Sequence, residues 1–176
     1  MNLKDAIRTI PDFPKPGIMY RDITTLLTNR KALKQSIADL AAPYKDKGID
    51  NVAGIEARGF IFGTAVAYEL GAGFVPIRKK GKLPFDTYEQ DYELEYGQDT
   101  IEMHADSIRK GERVLVVDDL IATGGTAEAA IKLIQKTGAE IVGAAFVVDL
   151  PDLGGLKRIT DMGCLLYTSP SPRDRG

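Results

Sequence analysis

The sequence predicts an α/β domain with a mostly parallel central sheet of about five strands and helices on both faces. Two observations carry this. Short apolar runs at Asn51 to Ile55, Gly73 to Ile77, Val114 to Val117 and Glu140 to Val148 alternate with stretches of helical period. Each of the first three runs also stops abruptly at a polar turn, as expected where strands of an open parallel sheet deliver loops to one edge.

In chain order, Leu3, Ala6, Ile7 and Ile10 have the spacing of a short amphipathic helix, stopped by Pro11. Pro11, Pro14 and Pro16 then fix an extended path that presents Ile18, Met19 and Tyr20 as an apolar cluster. Leu33, Ile37, Leu40, Ala41 and Tyr44 share one face of a helix from about Arg30, capped by Thr28 or Asn29 and with Gly48 beyond its end. The strand 51–55 leads through Glu56-Ala-Arg-Gly-Phe60 into a helix that stops at Gly71. There, Gly59 with Arg58 offers main-chain N–H and a guanidinium to an anion. A cation at a helix start opposes the dipole, which argues for a ligand. The strand 73–77 runs into Arg78-Lys-Lys-Gly-Lys82, placing cations at the same sheet edge. Tyr88 to Tyr96 and Asp99 to His104 read as a hairpin around Gly97, with helical tyrosine spacing as the alternative. His104 has no second ligand or acid spaced for it and reads as structural.

The most informative stretch is Arg113 to Thr126. Its strand ends on two carboxylates, Asp118 and Asp119, followed by Ala122-Thr-Gly-Gly-Thr126 and a helix with Ala127, Ala130, Ile131 and Ile134 on one face. A glycine loop at a helix start aims N–H groups and the positive dipole end at one point, which suits a phosphate; Thr123 and Thr126 add hydroxyls, and Gly124 and Gly125 allow close approach. Neither the G-x-x-x-x-G-K-[ST] nor the G-x-G-x-x-G pattern is present. Carboxylates beside an anion must face something else, and ribose hydroxyls or a ligand-borne metal ion fit. The ligand expected is a sugar phosphate.

The 176 residues are one domain's worth, and a net charge of −2 offers no general attraction to nucleic acid or anionic lipid. Cys164 is the only cysteine, which suits a reducing, cytoplasmic compartment. No apolar run approaches the roughly 18 residues of a membrane span, and no signal-peptide core is visible at the N-terminus.

Val114 to Thr126 resembles the phosphoribosyl-pyrophosphate signature of type I phosphoribosyltransferases, most closely the form in enzymes that take adenine. The resemblance covers roughly residues 10 to 163, through Pro16 to Asp22, Glu56 to Phe60, Arg78 to Lys82, Glu95-Tyr-Gly97 and Asp149 to Gly155. It implies a type I phosphoribosyltransferase fold over 1–163, with a hood formed by 1–25 and a mobile lid over 79–104. It also implies transfer of 5-phosphoribosyl from phosphoribosyl pyrophosphate to adenine, giving AMP and pyrophosphate, in a homodimer. Mg2+ would arrive on the substrate, with Asp118 and Asp119 nearby rather than as a resident site. By the same resemblance Met19, Tyr20 and Arg21 receive the purine, and Arg58, Gly59, Arg78, Lys79, Lys82, Asp118, Asp119 and Ala122 to Thr126 receive phosphoribosyl pyrophosphate. Glu95 and Arg58 act at the reacting centre. Hypoxanthine or xanthine in place of adenine, and a regulator that binds phosphoribosyl pyrophosphate without turnover, are the competing readings. From Cys164 the agreement fails. The stretch 164–176, with Pro170 and Pro172 among serines and alternating charges, reads as a non-native tail replacing the family's closing strand.

Overall fold

The computed structural model describes residues 2–94 and 96–168. Its centre is a seven-stranded sheet. Five strands are parallel: β3 (Asn51–Ile55), β4 (Gly73–Lys79), β7 (Arg113–Ile121), β8 (Glu140–Asp149) and β9 (Leu165–Thr168). An antiparallel hairpin, β5 (Thr87–Glu93) and β6 (Gln98–His104), extends the β4 edge, giving the spatial order β5-β6-β4-β3-β7-β8-β9. The tyrosine spacing that also suits a helix thus belongs to a strand.

Buried strands supply side chains to both faces. Leu115 and Val117 of β7 join Val52, Ala145 and Val147 in one core, beneath α2 (Arg30–Ala41) and α3 (Arg58–Leu70). Val114 and Val116 join Ala53, Val75, Ile77 and Phe146 in the other, beneath α4 (Gly125–Gln135) and α5 (Gly155–Thr160). This is the period of two expected of a strand covered on both sides. Helix α2 starts where Asn29 Oδ1 accepts the Ala32 N–H at 3.1 Å, and α3 stops where Gly71 takes φ 67°.

The order reverses at β3: the chain steps to β4 on one side and later to β7 on the other. The crevice beyond the carboxyl ends of β3 and β7 is therefore the topological switch point, where open α/β sheets bind ligands.

Two expectations are corrected. Leu3 to Ile10 is not one amphipathic helix: Leu3–Ala6 is a single 3₁₀ turn, and Arg8–Pro11 is a strand, β1, paired antiparallel with β2 (Met19–Asp22). Pairing wins because the Asp22 carboxylate takes hydrogen bonds from both the Thr24 hydroxyl and Arg8, which hold it down to about 2. This β-ribbon is followed by the short helix α1 (Thr24–Leu27).

The second correction concerns the C-terminal end. The closing strand is present: Leu165 to Thr168 pairs in parallel with Gly143 to Phe146. The Tyr44 hydroxyl reaches the Leu165 carbonyl at 3.1 Å, Tyr167 packs on the α2–α3 side, and Thr168 is buried. The remainder of the supposed tail, 169–176, lies outside the described residues.

Candidate active site

Asp118 and Asp119 stand at the C-terminal end of β7, and α4 begins six residues after Asp119 at Gly125, with Gly124 at φ 86°. Gly124 has no side chain to cap this helix, and the Gly125 N–H reaches only the Thr123 hydroxyl, at 3.5 Å, which leaves the positive end of the dipole at the loop. The loop frames a cavity of about 290 Å³. Its wall includes Glu56, Arg58, Lys79, Tyr92, Asp118, Asp119 and the whole of Ala122 to Thr126.

Arg58 is the first residue of α3, yet its charge does not stand against the helix dipole alone. Its Nε lies 2.9 Å from Asp119 Oδ2, and its Nη1 donates to the Tyr20 hydroxyl at 2.7 Å. The β-ribbon, β3 loop and acidic pair thus meet at one guanidinium. Asp118 sits beside them, its Oδ1 accepting the Asp119 N–H at 2.8 Å. Burial, with the neighbouring Asp119 charge, pushes the Asp118 carboxyl well above its ordinary value. Gly59 makes room for it: a β-carbon there would lie 2.9 Å from Asp118 Oδ1. Gly59 therefore supports the site from behind rather than lining the cavity.

Beside Arg58, the other three cations expected at the phosphoribosyl pyrophosphate site, Arg78, Lys79 and Lys82, are distributed unevenly. Lys79 is on the cavity wall, its amine donating to the Tyr92 hydroxyl at 2.6 Å and to the Asp99 carboxylate. Burial alone would lower the Lys79 pKa, but these two partners outweigh it and raise it. Lys82 and Arg78 stand back from the wall and are held by Glu56, at 2.6 Å and 3.4 Å. Arg78 also lies over the Phe60 ring. Burial would raise the Glu56 carboxyl, yet the Lys82 bond and the Lys79 N–H leave it below its ordinary range.

Of the purine candidates, Tyr20 touches the site through Arg58, with Phe13 edge-on to its ring at 5.1 Å. Arg21 bonds Thr9 and lines a neighbouring cavity of about 370 Å³ with Ile7, Val148, Leu150 and Pro151. Met19 is exposed. Glu95 lies outside the described residues.

Glu56, Tyr92 and Asp99 were not singled out from the sequence. Glu56 had a local signal, as the first residue after a buried strand. The Tyr92–Asp99 arrangement depends on hairpin register, which no local pattern specifies.

A glycine loop after an acidic pair, at a sheet's switch point and with cations opposite, is the arrangement expected of a protein that binds a sugar phosphate. Residues 24–170 match the Phosphoribosyl transferase domain, and the chain belongs to that family. Among relatives, adenine phosphoribosyltransferase of Brucella ovis is 63% identical over 168 residues, covering 96% of this chain and 93% of that protein. The crystal structure of adenine phosphoribosyltransferase from Rhodothermus marinus superposes with a TM-score of 0.90 at 53% identity, covering 95% of this chain and 94% of that one. The Saccharomyces cerevisiae enzyme, solved with adenine and an imino-altritol bisphosphate, gives 0.87 at 37% identity, with coverage of 94% and 95%.

Proposed function

We propose that this chain transfers the 5-phosphoribosyl group of phosphoribosyl pyrophosphate to adenine, giving AMP and pyrophosphate. The observation that carries the reading is the convergence of Arg58, Lys79, Asp118, Asp119 and the loop Ala122 to Thr126 on one cavity. The loop N–H groups and Thr123 and Thr126 hydroxyls receive the 5-phosphate. Asp118 and Asp119 accept from the ribose hydroxyls. Breakage of the C1–pyrophosphate bond leaves positive charge on the ribose and negative charge on the departing group; Arg58, Lys79 and Lys82 meet the latter. Lys82 exchanges Glu56 for the pyrophosphate when it does so.

The substrate is the Mg2+ complex of phosphoribosyl pyrophosphate. Among the described residues no three His, Cys, Asp or Glu side chains are grouped to hold a metal, and Asp119 is already engaged by Arg58. This donor set suits an ion held by ligand oxygens rather than a protein cage. Adenine enters beneath β2, where Tyr20 and Leu150 provide flat and apolar surfaces and main-chain groups at Met19 and Arg21 read its edge. Glu95 acts at the reacting centre. The chain works as a cytoplasmic homodimer: Ile61 and Tyr68, 44% and 86% exposed on α3, form an apolar stripe suited to a second copy. Among the described residues no helix is long and apolar enough to cross a membrane.

The test is product analysis after incubation with Mg2+, phosphoribosyl pyrophosphate and each of adenine, hypoxanthine and xanthine. AMP from adenine alone is expected. Nucleotide formed only from another base would reassign the substrate, and binding without any product would make the chain a regulator.

A further inference from the structure

Outside the cavity, the short helix α5 presses on the back of the phosphate loop. The Gly155 N–H donates to the Ala122 carbonyl at 3.1 Å. A β-carbon on Gly155 would lie 2.5 Å from that carbonyl oxygen, 2.7 Å from Ile121 Cγ1 and 3.1 Å from the Gly124 nitrogen. Two of those three atoms are backbone, so any side chain at 155 displaces the loop. Seen from the loop, a β-carbon on Gly124 would meet Gly155 Cα at 3.1 Å and Arg158 Cδ at 3.4 Å.

One helical turn on, Arg158 forms an ion pair through Nε with Glu128, in the first turn of α4. Its Nη1 lies 3.6 Å from where a β-carbon on Gly125 would stand. Glu128 also pairs with Lys132 at 3.0 Å, and its N–H closes the first turn of α4 on the Gly124 carbonyl at 2.8 Å. Lys132 and Arg158 outweigh burial and keep the Glu128 carboxyl below its ordinary range. Beside Gly125 is a cavity of about 220 Å³, lined by Asp91, Glu93, Glu128, Lys132 and Arg158 together with Tyr92 and Ala129. Most of the side chains there are charged.

We infer that Gly155, Arg158 and Glu128 are positioning residues for the phosphate loop, clamping α5 to α4 across Gly124 and Gly125 so that the loop N–H groups stay aimed at the 5-phosphate. The inference rests on the reading that this loop holds the phosphate of phosphoribosyl pyrophosphate. None of the three lines the cavity that faces Asp118 and Asp119; they act through the loop.

The experiment compares wild type, Arg158→Ala, Arg158→Lys, Glu128→Gln and Gly155→Ala. Calorimetric titration with Mg2+ and phosphoribosyl pyrophosphate, KM for both substrates, kcat and Tm are measured for each. Arg158→Ala and Glu128→Gln are each expected to raise Kd and KM for phosphoribosyl pyrophosphate about tenfold, with adenine KM and kcat within about twofold and Tm nearly unchanged. Arg158→Lys recovers part of the loss. Gly155→Ala shows a larger effect or fails to fold, so the decision rests on the other variants. Glu128→Gln separates positioning from simple charge: if Arg158 merely attracted phosphate, removing its anionic partner would tighten binding. Tighter binding by Glu128→Gln, affinity within twofold of wild type in Arg158→Ala, or a uniform loss matched by a fall in Tm each overturns the inference. A wild type that binds no phosphoribosyl pyrophosphate overturns the functional reading and the inference together; a wild type that binds beside unaffected variants overturns the inference alone.

Discussion

Arg58 Nε and Asp119 Oδ2 lie 2.9 Å apart, joining the loop after β3 to the end of β7 across the switch point of the sheet. Arg58 is 44% exposed on its side chain but Asp119 only 9%, so the carboxylate end of the pair is shielded from solvent. On the proposed reading, the pair holds a guanidinium where negative charge develops. Arg58→Gln is expected to lower kcat/KM for phosphoribosyl pyrophosphate by about 100-fold, near 3 kcal/mol, and to lower Tm as the buried Asp119 carboxylate loses its partner. Steady-state kinetics with thermal denaturation checks this; a kcat/KM within threefold of wild type would detach Arg58 from the chemistry.

The raised Asp118 pKa predicts a pH dependence. Because the folded value lies above the ordinary 3.8, Asp118 gives up its proton at a higher pH in the folded protein than an ordinary carboxyl does. The stability it contributes is present below 3.8 and is lost as pH rises through the raised value. Ribose hydroxyls, by contrast, bond more strongly to the ionised form. Affinity for phosphoribosyl pyrophosphate should therefore climb with pH through that value, while the group's contribution to Tm declines. Asp118→Asn should flatten both profiles, as titrations and melts across the acid range would reveal. Persistence of the wild-type slopes in the variant would assign them to another group.

The edge strand gives a prediction about the end of the chain. Ending it after Gly163 removes all four β9 residues, the Tyr44 to Leu165 bond and the burial of Thr168. Tm should fall by more than about 4 °C, equivalent to more than 1 kcal/mol. A chain ending after Thr168, which keeps β9, should melt above the shorter one. Equal melting of the two truncated chains would mean that β9 contributes nothing.

These particulars show what the sequence could reveal. The acidic pair and glycine loop were legible because strand end, turn and helix start are consecutive and each has a local rule. Leu3 to Ile10 reads as a helix because it satisfies helical spacing over only two turns, whereas its strand exists through pairing with Met19 to Asp22. β9 was missed because Leu165 to Thr168 was judged together with the proline-rich stretch after it, whereas its place depends on Gly143 to Phe146 and on Tyr44. The retreat of Arg78 and Lys82 onto Glu56 is likewise a long-range event. No charge count within 78–82 could signal it.

Glu95 is expected to act on the purine or the charged ribose as hydrogen-bond acceptor or proton relay. Glu95→Gln should then reduce kcat by 100-fold or more, on the order of general acid–base catalysis, with Kd for phosphoribosyl pyrophosphate little changed. Unaltered kcat would leave it a lid residue without chemical work.

The claim that the acidic pair and glycine loop form the phosphoribosyl pyrophosphate site is tested most directly by calorimetric titration of wild type, Asp118→Asn and Asp119→Asn with that ligand and Mg2+. Each substitution keeps the side-chain shape and replaces a charged acceptor by a neutral one, at a cost of about 1.5 to 3 kcal/mol. The account predicts saturable binding by wild type and at least about tenfold weaker binding by each variant, with folding intact. Wild-type affinity in both variants would contradict it.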